Sequence, residues 1–277
     1  MSGTLTVWLL NGARFVAKTP NEEAHALKWL KGLSAPDTEV PDVLCLVDFP
    51  DPLQKYLGRF PHRHFEPMTN HKIWGERKHV GICIASRYPL DTIQMCWTWG
   101  DGIVRDLEGV GDDNQRIKPD AVADELVLKT ENRVAIAASV MTPSDGPWRV
   151  ITHHGFWTRG GETTGQQIQS TLRLCHFLGR QADDHNGAIY AADCNFDANG
   201  MVWGLYKSKT QAHDCLPDEI TTTLAPDHPA AKIGVRPDEL MIIPNAGYVE
   251  TYRAVMVTAN NEPRSDHLLI CGEFKKV

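Results

Sequence analysis

The chain has 277 residues, of which 42% are hydrophobic and 23% charged, and carries a formal net charge of −7. This is an ordinary composition for a folded globular protein with a sizeable core. It excludes a strongly electrostatic nucleic-acid coat, but not a catalytic site where a local basic patch or a metal supplies positive charge.

In chain order, 4–10 is apolar and β-prone and closes on Asn11-Gly12. The stretch 21–32 has helical spacing, with Ala24, Leu27 and Leu30 or Trp29 on one face, Asn21 as N-cap and Gly32 as stop. A second buried strand, 43–47, ends at Asp48. Residues 50–78 read as irregular and rich in His and aromatics. A third strand, 80–85, leads into Ser86-Arg87-Tyr88-Pro89. The segment 91–123 reads as a long surface excursion with a hairpin, in which Trp97 and Trp99 alternate on a half-buried strand. Strand-like runs follow at 125–129, 133–141 and 149–152, the last running into His153-His154-Gly155. The second clear helix is 164–179, with Ile168, Leu172, Cys175 and Leu178 or Phe177 as its apolar stripe. A short buried strand occupies 188–192. Residues 197–232 are loop-rich, and strands are expected at 239–243, 249–257 and 267–272.

The cysteines at 45, 83, 96, 175, 194, 215 and 271 are odd in number and lack C-x-x-C spacing, so they read as free thiols in a reducing compartment. No basic region precedes an apolar N-terminal segment, and no apolar run nears the roughly 20 residues of a membrane span. The expectation is a cytoplasmic protein of one domain, 1–277, with no membrane or protein partner implied. Two stretches, 4–48 and 149–192, each run strand, helix, strand, which points to two similar halves.

The run at 188–192 breaks abruptly into Asp193, Cys194 and Asn195. Asp and Asn are poor strand formers, so they mark the strand's carboxyl end. There they either open a turn or coordinate a cation and position a water. Other buried strands also end in polar residues: Asn11, Asp48 and His153. Asp238 precedes one strand, and Ser265-Asp266-His267 leads into the last. Collected at one sheet edge, these acids, amides and imidazoles are the inventory for a hard-cation site with groups for proton transfer. The spacing does not favour structural zinc.

These blocks, in this order, resemble the endonuclease/exonuclease/phosphatase superfamily, the Mg-dependent phosphohydrolases related to pancreatic-type deoxyribonuclease. The matching blocks are Val7-Trp8-Leu9-Leu10-Asn11, Pro41-Asp42 through Val47-Asp48, Gly81 through Ser86-Arg87-Tyr88-Pro89, Thr152-His153, Ala192-Asp193-Cys194-Asn195, Pro237-Asp238-Glu239-Leu240 and Ser265-Asp266-His267. The sequence departs from the pattern at Asp48, where the family has Glu, at Val47 for Gln and at Ala192 for Gly. The place of the carboxylate that often partners the first histidine falls near His79 and Glu76.

The resemblance implies an α/β fold, a four-layer αββα sandwich of two packed mixed β-sheets flanked by helices. It implies a Mg²⁺-dependent phosphodiester hydrolase, with Mn²⁺ as a substitute, and a nuclease acting on DNA or RNA as the leading reading. The alternatives are a phosphomonoesterase on a small-molecule or lipid headgroup phosphate, and a non-catalytic member that only binds. By the same resemblance Asp48 and Asp266 ligate the metal, with Asn11 as partner. Asp193, helped by Asn195, orients or deprotonates the attacking water. His267, held by Asp238, stabilises charge on the phosphate, and His153 contacts it from the other side. Arg87 is placed with the substrate. Trp157 and Arg159 form either a stacking and phosphate-binding rim or a plain surface loop.

Overall fold

Short runs of Val, Ile, Leu and Ala, punctuated by Gly, Pro and Asp, build the strands, and two amphipathic segments of helical period cover them. The computed structural model describes residues 3–16, 24–108, 120–158, 163–195, 200–247, 251–260 and 265–277, with backbone alone at 120–124. The elements are β1 (Thr4–Asn11), α1 (His25–Gly32), β2 (Val43–Pro50), β3 (His62–Ile73), β4 (Glu76–Ser86) and β5 (Leu90–Trp99). Then come α2 (Asp120–Thr130), β6 (Arg133–Thr142), β7 (Gly146–His154), α3 (Gly165–His185), β8 (Ala188–Asp193) and α4 (Met201–Thr210). The last are β9 (His213–Asp214), β10 (Asp238–Ile243), β11 (Tyr252–Asn260) and β12 (Leu269–Lys276).

The strands form two six-stranded mixed sheets, ordered β11-β12-β1-β2-β4-β3 and β5-β6-β7-β8-β10-β9. One apolar cluster joins them, with Val7, Leu9, Val43 and Ile84 from the first sheet and Ile136, Val150, Ile189 and Leu240 from the second. A second cluster packs the outer face of the second sheet under α3 and α4, through Tyr190, Leu178 and Tyr206. A third packs the outer face of the first sheet under α1, through Leu10, Leu44 and Leu30. The result is the four-layer αββα sandwich.

Each sheet has one parallel pair at its centre, β1 with β2 and β7 with β8, joined through α1 and α3 respectively. The two strand–helix–strand stretches of the sequence are thus the two centres of the fold. Parallel strands put both carboxyl ends at one edge, and an antiparallel neighbour starts where they end. In the second sheet β10 is that neighbour, with Asp238 opposite Asp193. In the first it is β12, whose approach carries 265–267 to the same edge.

Several sequence expectations are corrected. Residues 62–73 form an edge strand rather than an irregular segment. Its polar residues line a half-buried face, and Pro67 sits at a register shift, where a missing N–H costs no ladder bond. Residues 125–129 lie in α2, with Lys129 and Glu125 paired one helical turn apart at 2.6 Å. The loop-rich 197–232 contains α4. Helix α3 does not stop at Gly179 but runs to His185, where Asn186 turns left-handed. Its buried stripe is Gln167, Thr171, Leu174, Leu178 and Ala182, so Leu172 is 43% exposed. In α1 the buried residues are Ala26 and Leu30, and Asn21, expected as its cap, lies outside the described residues. The last two strands start later than expected, at Tyr252 and Leu269.

None of the seven cysteines is in a disulfide. Among the described residues no helix is long and apolar enough to cross a membrane.

Candidate active site

At the shared carboxyl edge, Asp193 ends β8 with both oxygens engaged. Its Oδ2 accepts from Asn11 Nδ2 at 2.7 Å, across the gap between the sheets. Its Oδ1 accepts from the backbone N–H of Asn195 at 2.9 Å. Asn195 has φ +52°, so the strand does not continue extended to it. Asn195 Nδ2 instead donates to Gly155 O at 3.3 Å, which ties the end of β8 to the end of β7. The turn and the site are one structure here, since the same carboxylate closes the turn and faces the gap.

Asp238, the first residue of β10, is buried beside it. Its Oδ2 accepts from Thr223 Oγ1 at 2.8 Å and from His267 Nδ1 at 2.6 Å. Burial alone would lower the His267 imidazole. Asp238, with Asp266 and Asp193 behind it, outweighs that and raises it to about 10, so His267 is held protonated. Ser265 fixes the approach by donating to Asn11 O at 2.6 Å and accepting from His267 N at 2.9 Å. Asp266 Oδ1 lies 3.9 Å from His267 Nε2.

Asp48 arrives by a different route. Alternation along β2 sends Val43, Cys45 and Val47 between the sheets and Leu44 and Leu46 outward. Continued, it would send position 48 outward as well. The pairing with β4 shifts register between Leu46 and Phe49, and Asp48 has φ +50°. The bulge re-aims the carboxylate into the gap, and the strand continues to Pro50 instead of ending at Asp48. There Asp48 Oδ1 is 3.2 Å from His154 Nδ1, and Oδ2 is 3.8 Å from Arg14 Nη2. Arg14 reaches it from a left-handed turn after β1, with Ala13, Arg14 and Phe15 all at positive φ. Phe15 anchors that turn edge-on against Phe49. Burial would raise the Asp48 carboxyl, but His154 and Arg14 hold it well below the usual carboxylate range.

The histidine at this edge is His154, not His153. On β7, Val150 faces the gap between the sheets and Ile151 faces the helices. His154 therefore shares the inner face and His153 the outer one. His153 Nδ1 contacts Tyr190 OH at 3.1 Å, and its Nε2 contacts Thr98 Oγ1 at 3.0 Å. Burial, then the neighbouring His154 and Arg133, push its imidazole well below the ordinary value. A neutral histidine held between two hydroxyls on the helix side does not reach a phosphate in the gap. The expected partner region is elsewhere too, since Glu76 pairs with Lys78 on the surface.

His154 Nε2 points toward Asp193 Oδ2 at 3.7 Å, and Arg133 Nη1 meets its Nδ1 at 2.7 Å. The same Nδ1 lies 3.2 Å from Asp48 Oδ1, so the ring stands between a guanidinium and two carboxylates, Asp48 on Nδ1 and Asp193 on the Nε2 side. Arg133 is in turn held by Glu131 at 2.8 Å, both residues being buried. His154, Arg133, Glu131 and Arg14 are the residues that sequence reasoning missed.

Arg87 is at the wrong end of the molecule. It follows β4, which runs antiparallel to β2, and it pairs with Asp42 ahead of β2. Asp42 lies six residues before Asp48, about 20 Å away at roughly 3.3 Å per residue. Trp157 is 40% exposed beside the β7 end, and Arg159 lies outside the described residues.

Asp193, Asp238 and His267 each offer a ligand atom within 4.8 Å of one another. The Oδ1 atoms of Asp238 and Asp266 are buried with no hydrogen-bond partner among the described residues. Unpaired carboxylate oxygens at a cluster of acids are the donor set of a hard divalent cation, so these residues fit one. Asn11 turns its amide nitrogen toward Asp193, and its Oδ1 accepts from Ala13 N at 2.9 Å.

No protein-family model and no curated protein matches the sequence. Among solved structures, the chain is similar to an endonuclease/exonuclease/phosphatase from Beutenbergia cavernae, with 14% identity, TM-score 0.66, and 99% of this chain and 72% of that one covered. It is similar to sphingomyelinase C from Streptomyces griseocarneus, with 12% identity, TM-score 0.58, and 98% and 99% covered. It is also similar to a mannosyl-6-phosphatase from Bacteroides thetaiotaomicron, with 12% identity, TM-score 0.62, and 98% and 99% covered. The likeness is one of fold, and it spans the whole chain; several of the structural neighbours are endonuclease/exonuclease/phosphatase family proteins.

Proposed function

We propose that this chain is a divalent-metal-dependent phosphoester hydrolase acting on phosphodiesters, with a nucleic acid as the leading substrate. The observation that carries the reading is the convergence of Asp193, Asp238 and His267 at one edge, with Asp48 linked to Asp193 through His154 and two carboxylate oxygens left unpaired. A fold shared with phosphoesterases adds to it. Asp48 and Asp266 would hold Mg²⁺, or Mn²⁺ in its place, with the unpaired Asp238 oxygen as a further donor. The cation supplies charge neutralisation at the phosphate.

The chain's own residues do the rest. Asp193, fixed by Asn11 and by the Asn195 backbone, takes a proton from a water aligned with phosphorus. The water oxygen bonds to phosphorus, the opposite ester bond breaks, and the alkoxide leaves with the bonding pair and takes up a proton from solvent water. His267, kept protonated by Asp238, donates to the phosphate oxygen on which charge grows. His154, held between Asp48 and Asp193, would contact the phosphate from the side opposite His267, the part expected of His153.

The test is a panel of plasmid DNA, structured RNA, bis-p-nitrophenyl phosphate and p-nitrophenyl phosphate, each with Mg²⁺, Mn²⁺ or EDTA. The diesters are cleaved with metal and not with EDTA. Preference for p-nitrophenyl phosphate would replace the diesterase reading by a monoesterase one. No cleavage of any member under either metal would leave a binding protein.

A further inference from the structure

Beside the site, and sharing a wall with it, is a cavity of about 230 Å³. Trp99 and Phe156 form one side, edge to face with centroids 4.7 Å apart. Leu128 of α2 forms another, and its carbonyl accepts from Trp99 Nε1 at 3.1 Å, which fixes the indole in place. The polar lining is the buried Glu131–Arg133 pair and Thr158, with Thr164 and Gln166 at the start of α3. Thr158 is 7% exposed, and its Oγ1 is buried with no hydrogen-bond partner among the described residues. A buried hydroxyl without a partner is costly, and a ligand polar atom would relieve it.

We propose that this cavity is a subsite for one planar, nitrogen-bearing aromatic ring carried on the substrate alcohol, of the nucleobase type. Size limits the occupant to one ring system: a cavity of roughly 150 Å³ holds benzene, and drug-sized ligands need upward of roughly 300 Å³. The aromatic side matches a π-face, and Glu131 with Thr158 offers an acceptor and a hydroxyl to ring-edge nitrogens. The connection to the chemistry is direct. Arg133 lines the cavity and touches His154, which reaches Asp193, so one imidazole separates the ring's wall from the attacking group.

This rests on the phosphoesterase reading, and the experiment separates the two. The full chain is assayed with Mg²⁺ on two diesters with the same leaving group, the p-nitrophenyl ester of thymidine 5′-phosphate and methyl p-nitrophenyl phosphate. The nucleoside ester is expected to have a kcat/KM at least tenfold higher. Thr158→Val, which removes the hydroxyl but keeps the shape, and Leu128→Trp, which fills the cavity, each pull that ratio toward one. Equal rates on the two esters, or a ratio unmoved by both variants, overturn the subsite and leave the hydrolase reading standing. If neither ester is cleaved, the hydrolase reading fails, and calorimetric titration with free thymidine against ribose decides the subsite. Thymidine binding that Thr158→Val weakens supports it, and no binding overturns it.

Discussion

The two imidazoles within reach of Asp193 are held in different ways. His267 has a buried carboxylate on its Nδ1 at 2.6 Å, which makes it a fixed cation. His154 has both a guanidinium at 2.7 Å and the Asp48 carboxylate at 3.2 Å on its Nδ1, with Asp193 3.7 Å from its Nε2. One histidine is fixed by a single buried carboxylate, the other is shared among a guanidinium and two carboxylates. The sheets that supply them differ as well. Asp193 and Asp238 stand in regular register on neighbouring strands, whereas Asp48 needs a bulge to arrive.

The largest effect expected from breaking this arrangement is at Asp193, which serves both halves. Asp193→Asn should lower kcat on the bis ester by roughly 10³-fold or more, with the fold intact by circular dichroism. Next comes the charged side. His267→Ala and Asp238→Asn should each cost roughly 10²–10³-fold, and the double variant little more than either alone. Additive losses in that cycle would mean that the two do not act as a unit.

The other imidazole is tested by the histidine doublet. His154→Ala should lower kcat roughly 10²-fold, and it also costs stability because it strips a partner from the buried Arg133 and Asp48. His153→Ala should leave kcat nearly unchanged and cost roughly 1–3 kcal/mol of stability, measurable in urea, because it strips partners from Tyr190 and Thr98. If His153→Ala is the inactive protein, the assignment by strand face is wrong.

A smaller effect concerns stability. His71 is buried near Arg14, Arg77 and Asp48, and its imidazole is lowered from 6.5 to about 4, by burial first and then by Arg14. Below pH 6.5 the unfolded chain takes up a proton that the folded one refuses. Stability contributed above that pH is therefore lost as pH falls toward 4, by at most about 3 kcal/mol. His71→Asn should flatten that part of the pH–stability curve relative to wild type. The smallest effect is at Arg87, where substitution by Ala should leave kcat/KM within about twofold.

Much of this was legible in the sequence because strand ends are. A buried run that breaks into Asp or Asn marks its own edge, as at Asn11 and Asp193, and a polar residue just ahead of an apolar run marks the start of another strand, as at Asp238 and Asp266-His267. The misses have separate causes. In β7 both faces are buried, Val150 between the sheets and Ile151 under α3. The sequence therefore carries no alternation from which to choose between His153 and His154. Arg87 failed on direction, since a motif after an antiparallel strand lies at the far edge. Arg133 and Glu131 looked like the polar start of a strand, and only the packing shows that they are buried against His154. The polar strand 62–73 was hidden by its place at a sheet edge, where half its residues meet water.

The bulge at Asp48 bears on how this site relates to sites with Glu at the same place. The reach of the carboxylate is set here by an extra backbone residue in a left-handed conformation, which Asp tolerates better than a longer side chain does. Straightening the strand alone would return position 48 to the outward face on which alternation places it, so the acid and the extra residue that re-aims it act as one unit.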